Sequence, residues 1–302
     1  MNRIASVPGF LFSGIACGVK PSGDLDLALV HMPTGAVLSA VYTTNQVVAA
    51  PVVLSRANAH SSHTFALIVN SGNANACTGA QGNFDALEMT TSVATALGLS
   101  ADTVQVCSTG VIGQSLPMPQ IRKGINSALA NLSPENLSDF SEAITTTDLY
   151  QKAVRSTFEH DEATYTVQGV AKGAGMIAPN MATMLVFVFT DAPIAQSQLD
   201  LIWKRICDQT FNAMTVDGDT STNDTALVLS SGVNVPPLDR RGLDAFERSL
   251  LEVCDELAHL IVGDGEGATK AVRIKVAGAH SVDEAKTVAN VIARSPLVKT
   301  AL

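Results

Sequence analysis

The sequence predicts an α/β protein in which sheets and helices pack in layers. Short apolar runs rich in β-branched and aromatic residues, at 65–69 and 184–189, are typical of buried strands. Residues 198–214 and 243–262 instead carry apolar side chains at helical spacing. With 302 residues, 46% of them hydrophobic and 16% charged, the chain has enough apolar surface for one large core or two coupled cores.

The N-terminal half is predicted to begin with strands and to continue with helices. Two strands that pair with each other are expected at 27–31 and 35–44, because Pro33-Thr34-Gly35 between them is a turn signal. Further elements are expected at 84–97 (helix), 103–107 (strand), 118–129 (helix) and 137–144 (helix). Ser138 is the expected N-cap of the last helix.

The C-terminal half adds long helices and short strands. The helix at 198–214 contains the single tryptophan, Trp203, which we expect in the core or in an interface. The polar run 215–225 has three aspartates but lacks the terminal glutamate of a calcium loop, so we expect turns that hold backbone amides near a site. Strands are also predicted at 226–230 and 272–276, and a final helix at 282–293.

Charge and cysteine content argue against several classes of protein. A net charge of −9 does not suit a nucleic-acid partner, and an anionic substrate would need a local cation such as Lys172. The five cysteines are odd in number and scattered, which argues against a disulfide framework and for a reducing compartment. No apolar run approaches the ~18 residues of a membrane span, and no signal peptide is recognisable. We therefore expect a cytoplasmic protein without a membrane partner.

The segment 172–183 is the predicted centre of the chemistry. It carries one cation, Lys172, and ends at Thr183, directly before a buried strand. A threonine hydroxyl needs a nearby base, and its own α-amine, with a pKa near ~8, serves once the Ala182–Thr183 bond is cut. From the local pattern alone, the alternative is that Thr183 merely begins a strand.

Two loops of small residues are the expected walls of the pocket. Residues 70–76 present backbone amides after a strand, either as a pocket wall or as a structural turn. In the second loop Gly110 lets a backbone N–H point into a pocket, and the Thr109 hydroxyl beside it provides a second donor for an oxyanion. Alone, this Ser-Thr-Gly sequence is also a common turn.

Six separated segments carry a more specific resemblance. They are VNSGNANACTG (69–79), CSTGVIG (107–113), TTD (146–148), GVAKGAGMIAPNMATMLVFVFTDA (169–192), TVDGDTSTND (215–224) and GEGATK (265–270). In this order, and over nearly the whole chain, they resemble the ornithine acetyltransferase family, also called bifunctional glutamate N-acetyltransferase.

The resemblance implies a fold, a reaction and a set of site residues. The fold would be sheets sandwiched between helices, in a chain cut at Ala182–Thr183 into an N-terminal piece (1–182) and a C-terminal piece (183–302) that stay together, as a heterotetramer. Thr183 would be the nucleophile, with Thr109 and Gly110 as the oxyanion hole. Substrate would contact Thr146, Lys172, Thr183 and Glu266; the threonines beside Thr146 leave that assignment open by one position.

In the resembling family the acetyl group of N-acetylornithine passes to glutamate without a cofactor or a metal, and some members also accept acetyl-CoA. Lys172 would bind the α-carboxylate that both amino acids share, and Glu266 would favour the ornithine side chain. Members of the family continue beyond the point where this sequence stops, so we expect a fragment that lacks a C-terminal region. The alternatives are an N-terminal-nucleophile amidase or aminopeptidase, and a non-catalytic protein that binds an amino acid.

Overall fold

The computed structural model describes residues 6–61, 63–177, 184–232 and 238–302. In this part of the chain there are eight strands: β1 (Leu11–Ile15), β2 (Leu27–Tyr42), β3 (Thr64–Asn73), β4 (Val104–Val111), β5 (Lys152–His160), β6 (Ala163–Lys172), β7 (Leu185–Thr190) and β8 (Thr225–Ser230). The helices are α1 (Ala50–Asn58), α2 (Gly79–Leu97), α3 (Met118–Ala130), α4 (Leu137–Ala143), α5 (Gln196–Gln209), α6 (Arg240–Gly263), α7 (Val282–Ala293) and α8 (Pro296–Ala301).

The strands follow the order β4-β3-β2-β8-β7-β6-β5, and β1 pairs with β2. The pairs β3–β4 and β7–β8 are parallel, and the other pairs are antiparallel. Strand β2 is shared by two halves of the sheet, one that contains β1, β3 and β4 and one that contains β5–β8. Its first part, up to His31, pairs with β1 and β3, and its second part, from Val37, pairs with β8.

The prediction of two paired strands at 27–31 and 35–44 was therefore wrong. The chain does not reverse at Pro33, because β2 runs through this point with a register shift between His31 and Ala36. Gly35 has a φ of +77°. Proline and a left-handed glycine mark a bulge as well as a turn, and here the strand changes partners instead of folding back.

The two halves of the sheet pack face to face. The rings of Phe12 in β1 and Phe189 in β7 are 5.0 Å apart although their strands are not hydrogen-bonded neighbours. Phe140 of α4 joins this inner core, with its ring 5.6 Å from that of Phe187. In β7, Phe187 and Phe189 belong to the inner core, whereas the alternate Val186 and Val188 face the opposite side.

Helices cover both outer faces. On one side α5 and α6 pack on β5–β8, and on the other α2 and α3 pack on β2–β4. Trp203 of α5 is fully buried in the first of these cores and donates a hydrogen bond to the Ala226 carbonyl at 3.1 Å, so the expected core position is confirmed. The order of layers is helix, sheet, sheet, helix, as the predicted α/β class with sheets sandwiched between helices requires.

Other elements refine or correct the sequence predictions. Helix α2 buries Met89 and Val93 and leaves Phe84 66% exposed. Ser138 is not the N-cap of α4: the N-cap is Asn136, two residues earlier, and its side chain makes no capping hydrogen bond. Residues 272–276 alternate in polarity but form neither strand nor helix, and in the described chain no strand lies beside them to supply a ladder of hydrogen bonds.

None of the helices in the described residues combines the length and the apolar character that a membrane crossing requires.

Candidate active site

Lys172 is a buried cation at the end of β6. Its side chain sits in a position only 3% exposed, and Nζ donates a hydrogen bond to Thr109 Oγ1 at 3.2 Å. Burial lowers the pKa of Lys172 below its ordinary value, and the nearby Asp148 carboxylate opposes that shift. In the β6–β7 register Lys172 lies opposite Leu185. The cation is thus placed between the predicted oxyanion loop and the first residue of the strand that follows Thr183.

The end of β4 is shaped by a close approach of two backbones. Gly110 has a φ of +132°, and a Cβ there would lie 2.3 Å from the carbonyl carbon of Gly72 on β3. Only glycine fits, because a side chain would collide with backbone that cannot move aside. Thr109 and Gly110, the predicted oxyanion pair, therefore stand on a rigid strand end next to the Lys172 ammonium.

Buried amides lock the same strand end in place. Asn223 Nδ2 donates to the carbonyls of Ala74 at 2.6 Å and of Ser108 at 2.9 Å. Ser108 Oγ donates in turn to Asn70 Oδ1 at 2.6 Å. The small-residue loop after β3 and the end of β4 are held together, which places the two predicted pocket walls side by side.

Aspartates of the polar run 215–225 hold backbone amides on both sides of residues 178–183. Asp217 accepts from the amides of Met176 at 2.6 Å and of Ile177 at 2.9 Å. Asp224 Oδ1 accepts from the amide of Met184 at 3.0 Å. The prediction that this run fixes amides near the site is confirmed. Burial raises the pKa of Asp224 to about 8.

The predicted nucleophile Thr183 and the cleavage-site residue Ala182 lie outside the described residues. What the structure shows is the strand they lead into. Every residue of β7 is buried, and the strand pairs with β6 on one side and β8 on the other. The strand that follows Thr183 is therefore fixed by its neighbours, and its first residue, Leu185, lies opposite Lys172.

Glu266 and the 145–149 loop are hydrogen-bonded to each other and lie beside the segment that follows Lys172. Glu266 is exposed, and Oε1 accepts a hydrogen bond from Thr147 Oγ1 at 2.7 Å. Its amide donates to the Ala174 carbonyl at 2.8 Å, and its carboxylate lies against Gly175, where a Cβ would come within 2.8 Å of Cδ. The predicted Thr146 instead donates through its backbone amide to Asp148 Oδ2.

Asp148 and Lys152 are charged residues that sequence reasoning did not single out. Asp148 Oδ1 accepts from the Gly173 amide at 2.7 Å and from Lys152 Nζ at 2.6 Å. Burial disfavours its ionised form, but Lys172 and Lys152 outweigh that effect and hold the pKa of Asp148 below its ordinary value. Lys152 lies outside the six segments of the resemblance, whereas Asp148 is the last residue of the TTD segment.

Within the described ranges, the five cysteines are free and no group of three or more histidine, cysteine, aspartate and glutamate side chains is arranged to hold a metal ion.

The fold belongs to the class of Ntn-hydrolase-like architectures. The architecture is shared with the l-aminopeptidase d-ala-esterase/amidase of Ochrobactrum anthropi, described as a variant of the Ntn hydrolase fold. The two structures match with a TM-score of 0.51 over 87% of this chain and 86% of the other, at 10% sequence identity. At that identity the likeness establishes the fold alone.

The particular family follows from closer relatives. The family model of ArgJ matches residues 11–302, and the chain belongs to the ArgJ family. It is 50% identical, over 299 residues, to the arginine biosynthesis bifunctional protein ArgJ of Geobacter sulfurreducens. The alignment covers 98% of this chain and 76% of that relative. The ornithine acetyltransferase of Mycobacterium tuberculosis, solved in complex with ornithine, is 40% identical and has a TM-score of 0.54 over 59% of this chain and 96% of the other. The chain is thus a homologue of the ornithine acetyltransferases of arginine biosynthesis.

Proposed function

We propose that this protein moves the acetyl group of N-acetylornithine to glutamate through an acetyl-Thr183 intermediate, after cutting its own chain between Ala182 and Thr183. The observation that carries the proposal is the buried hydrogen bond from Lys172 to Thr109 at the mouth of β7. This hydrogen bond brings the cation that would bind a carboxylate next to the Thr109 hydroxyl. It lies where β6 pairs with β7, the strand that follows the proposed nucleophile.

Self-cleavage prepares the nucleophile. The Thr183 hydroxyl attacks the Ala182 carbonyl, the peptide nitrogen leaves as an amine, and water hydrolyses the resulting ester. The products are the Ala182 carboxylate and a free α-amine on Thr183. With a pKa near ~8, this amine accepts the proton of the adjacent hydroxyl in each later turnover.

The acetyl transfer then proceeds in two half-reactions. Thr183 Oγ attacks the acetyl carbonyl of N-acetylornithine, and the tetrahedral oxyanion accepts hydrogen bonds from the Thr109 hydroxyl and the Gly110 N–H. The Thr183 amine returns its proton to the departing ornithine nitrogen. In the second half-reaction the amine of glutamate attacks the acetyl-threonine ester and passes its proton to the Thr183 amine. The ester bond breaks, the amine returns this proton to Thr183 Oγ, and N-acetylglutamate leaves.

Charge complementarity supports the choice of substrates. One N–H of the Lys172 ammonium donates a hydrogen bond to Thr109. The other two N–H groups bind the α-carboxylate that both amino acids carry. Glu266 faces the side-chain ammonium of ornithine, with Thr146 or its neighbour Thr147 lining the same wall. One site thereby serves two substrates whose side chains carry opposite charges.

The proposal includes the assembly of the cut chain. Piece 183–302 begins with β7, which is hydrogen-bonded along its length to β6 of piece 1–182. Such a buried central strand does not separate after cleavage, because both faces and both edges are covered. Two copies of each piece would form the heterotetramer, acting in the cytoplasm without a cofactor. The mass of the native particle tests this assembly.

Mass spectrometry of the purified chain and of Thr183→Ala tests the cleavage. We expect two fragments that meet between Ala182 and Thr183 in the native protein and one intact chain in the variant. Serine at position 183 should restore the cut, since it keeps a hydroxyl. An uncut native chain that transfers acetyl groups at full rate would overturn the mechanism.

Product analysis tests the reaction. N-acetylornithine with glutamate should yield ornithine and N-acetylglutamate in equal amounts. Release of acetate at the same rate in the absence of glutamate would instead identify an amidase built on the same nucleophile. Acetyl-CoA in place of N-acetylornithine shows whether a second donor is accepted.

A further inference from the structure

Lys152 is an ion buried completely inside the protein. Its Nζ lies 2.6 Å from Asp148 Oδ1 and 2.5 Å from Asp264 Oδ2, and the three side chains are all 0% exposed. We call these three residues the buried ion cluster. Removing charges from water costs several kcal/mol per ion, and well-packed apolar side chains are often equally stable in such places. The cost of burying these charges is therefore not explained by stability alone.

The buried ion cluster joins two segments that are distant in sequence. Lys152 opens β5 and Asp148 lies four residues before it, whereas Asp264 follows α6. The carboxylates also accept backbone donors: Asp264 from the Leu149 amide at 3.0 Å, and Asp148 from the Gly173 amide at 2.7 Å. Each ion is thus satisfied by groups from more than one segment.

The segments tied together are those that carry the two substrate-binding charges. Gly173 directly follows Lys172, so Asp148 anchors the backbone beside the cation. Asp264 stands two residues before Glu266, and Thr147, next to Asp148, donates to Glu266 Oε1. The distance between the Lys172 ammonium and the Glu266 carboxylate is consequently set through the buried ion cluster.

We infer that Lys152 is a positioning residue for ornithine selectivity, which holds Glu266 at the distance from Lys172 that matches an amino acid with a terminal ammonium. The inference rests on the proposed function, in which Lys172 takes the α-carboxylate and Glu266 the side chain. Glutamate has no group for Glu266 to bind, so its binding does not depend on that distance. Lys152 itself touches no substrate.

The test is a double-variant cycle in the full-length enzyme. Lys152→Met/Asp264→Asn removes the bridge to the Glu266 loop and leaves the net charge of the cluster unchanged. Glu266→Gln removes the group on which the bridge acts. We expect each to raise KM for N-acetylornithine about tenfold, with KM for glutamate within about twofold of the native value. Combined, they should raise KM no further than Glu266→Gln alone, because both act through the same carboxylate.

Controls separate positioning from folding. Lys204→Met/Asp208→Asn removes an exposed ion pair of α5, 76% and 41% exposed, and should change neither KM. Self-cleavage at Thr183 reports whether each variant is folded. Asp264→Asn alone keeps Lys152 paired with Asp148, and it gives the same selective rise in milder form if the double replacement does not fold.

The outcomes are distinguishable. Additive increases, or equal increases for both substrates, would overturn the positioning role while leaving Glu266 in its proposed place. If Glu266→Gln leaves KM for N-acetylornithine unchanged, the proposed assignment of Glu266 is wrong, and the positioning role fails with it.

Discussion

The two sides of the candidate site are built differently. The side with Lys172, Thr109 and Gly110 stands on the ends of β6 and β4, is mostly buried, and is locked by close backbone packing. The side with Thr147 and Glu266 stands on loops, and both residues are exposed. In the proposed reaction the first side performs steps common to both substrates, whereas the second distinguishes them. A buried part thus serves the shared chemistry, and an exposed part serves selectivity.

This division predicts which measurements change when either side is altered. Changes on the strand side should affect both half-reactions equally. Changes on the loop side should affect N-acetylornithine and spare glutamate. A variant that breaks this rule would show that the two sides are not functionally separate.

The largest effect is expected for Thr109→Val, which removes the hydroxyl that receives the Lys172 hydrogen bond. Loss of one oxyanion donor costs about 10²–10³ in kcat, because the donor acts on charge that develops only in the transition state. KM should change little for either substrate. Steady-state kinetics of both half-reactions measure this.

Thr103→Val is the matched control for that experiment. Thr103 lies just before the opposite end of β4, and its hydroxyl donates to the Ser100 carbonyl at 2.7 Å in an exposed setting. It should keep native kcat. A Thr109→Val enzyme with native kcat would remove Thr109 from the oxyanion role.

Lys172→Met should produce the next largest effect. Methionine keeps the length of the side chain but cannot bind the shared α-carboxylate, so KM should rise about 10- to 100-fold for both substrates. A rise for only one of them would contradict the shared-carboxylate role. Lys172→Arg should not restore activity, because Lys172 is buried and its compact ammonium donates to Thr109 Oγ1, a geometry that a planar guanidinium does not reproduce.

Thr147→Val tests the loop side with a smaller expected effect. Losing the hydrogen bond to Glu266 Oε1 should raise KM for N-acetylornithine about three- to tenfold, as for a single hydrogen bond of about 1 kcal/mol. Thr146→Val is the matched neighbour, and its described contact to Asp148 uses the backbone amide, which the substitution keeps. A larger rise in KM for Thr146→Val than for Thr147→Val would assign the substrate contact to Thr146, as first predicted.

The sequence anticipated the strongly patterned parts of this molecule. The buried strand after Thr183 is a continuous apolar run, the long helix ending at Gly263 has apolar residues at helical spacing, and the small-residue loops stand where strands end. The hairpin of β5 and β6 was not predicted. It turns at Asp161 and Glu162, with φ of +45° and +66°, and the absence of glycine hides the turn.

The buried ion cluster was missed for a related reason. Lys152 begins the unpredicted strand β5, and a lone lysine in a sequence is ordinarily a solvated surface residue. Only the tertiary structure brings Asp264, 112 positions away, to its ammonium. The motifs around Thr109, Lys172 and Glu266 can be singled out in the sequence because each is a continuous segment, and their roles stay predictions. The ion cluster that connects them is formed only in the tertiary structure.

The smallest effect concerns the pH dependence of stability at Asp224. Its pKa rises from 3.8 to about 8 in the folded protein because the carboxyl is buried. The folded state therefore binds this proton more tightly than the unfolded state, and the associated stability is complete below pH 4 and is lost as pH rises through 8. Asp224→Asn cannot ionise and still accepts from the Met184 amide, so its Tm should fall less than that of the native protein between pH 4 and 8.5.

We expect the variant to have a higher Tm than the native protein at pH 8.5 and the same Tm near pH 4. Asp208→Asn is the control, because Asp208 is exposed in part and Lys204 and Asn212 lower its pKa despite the opposing effect of burial. Thermal unfolding across this pH range decides the outcome. Parallel Tm curves for native protein and Asp224→Asn would show that Asp224 is ionised throughout, which would make it a second permanent counter-charge for Lys172 on the strand side.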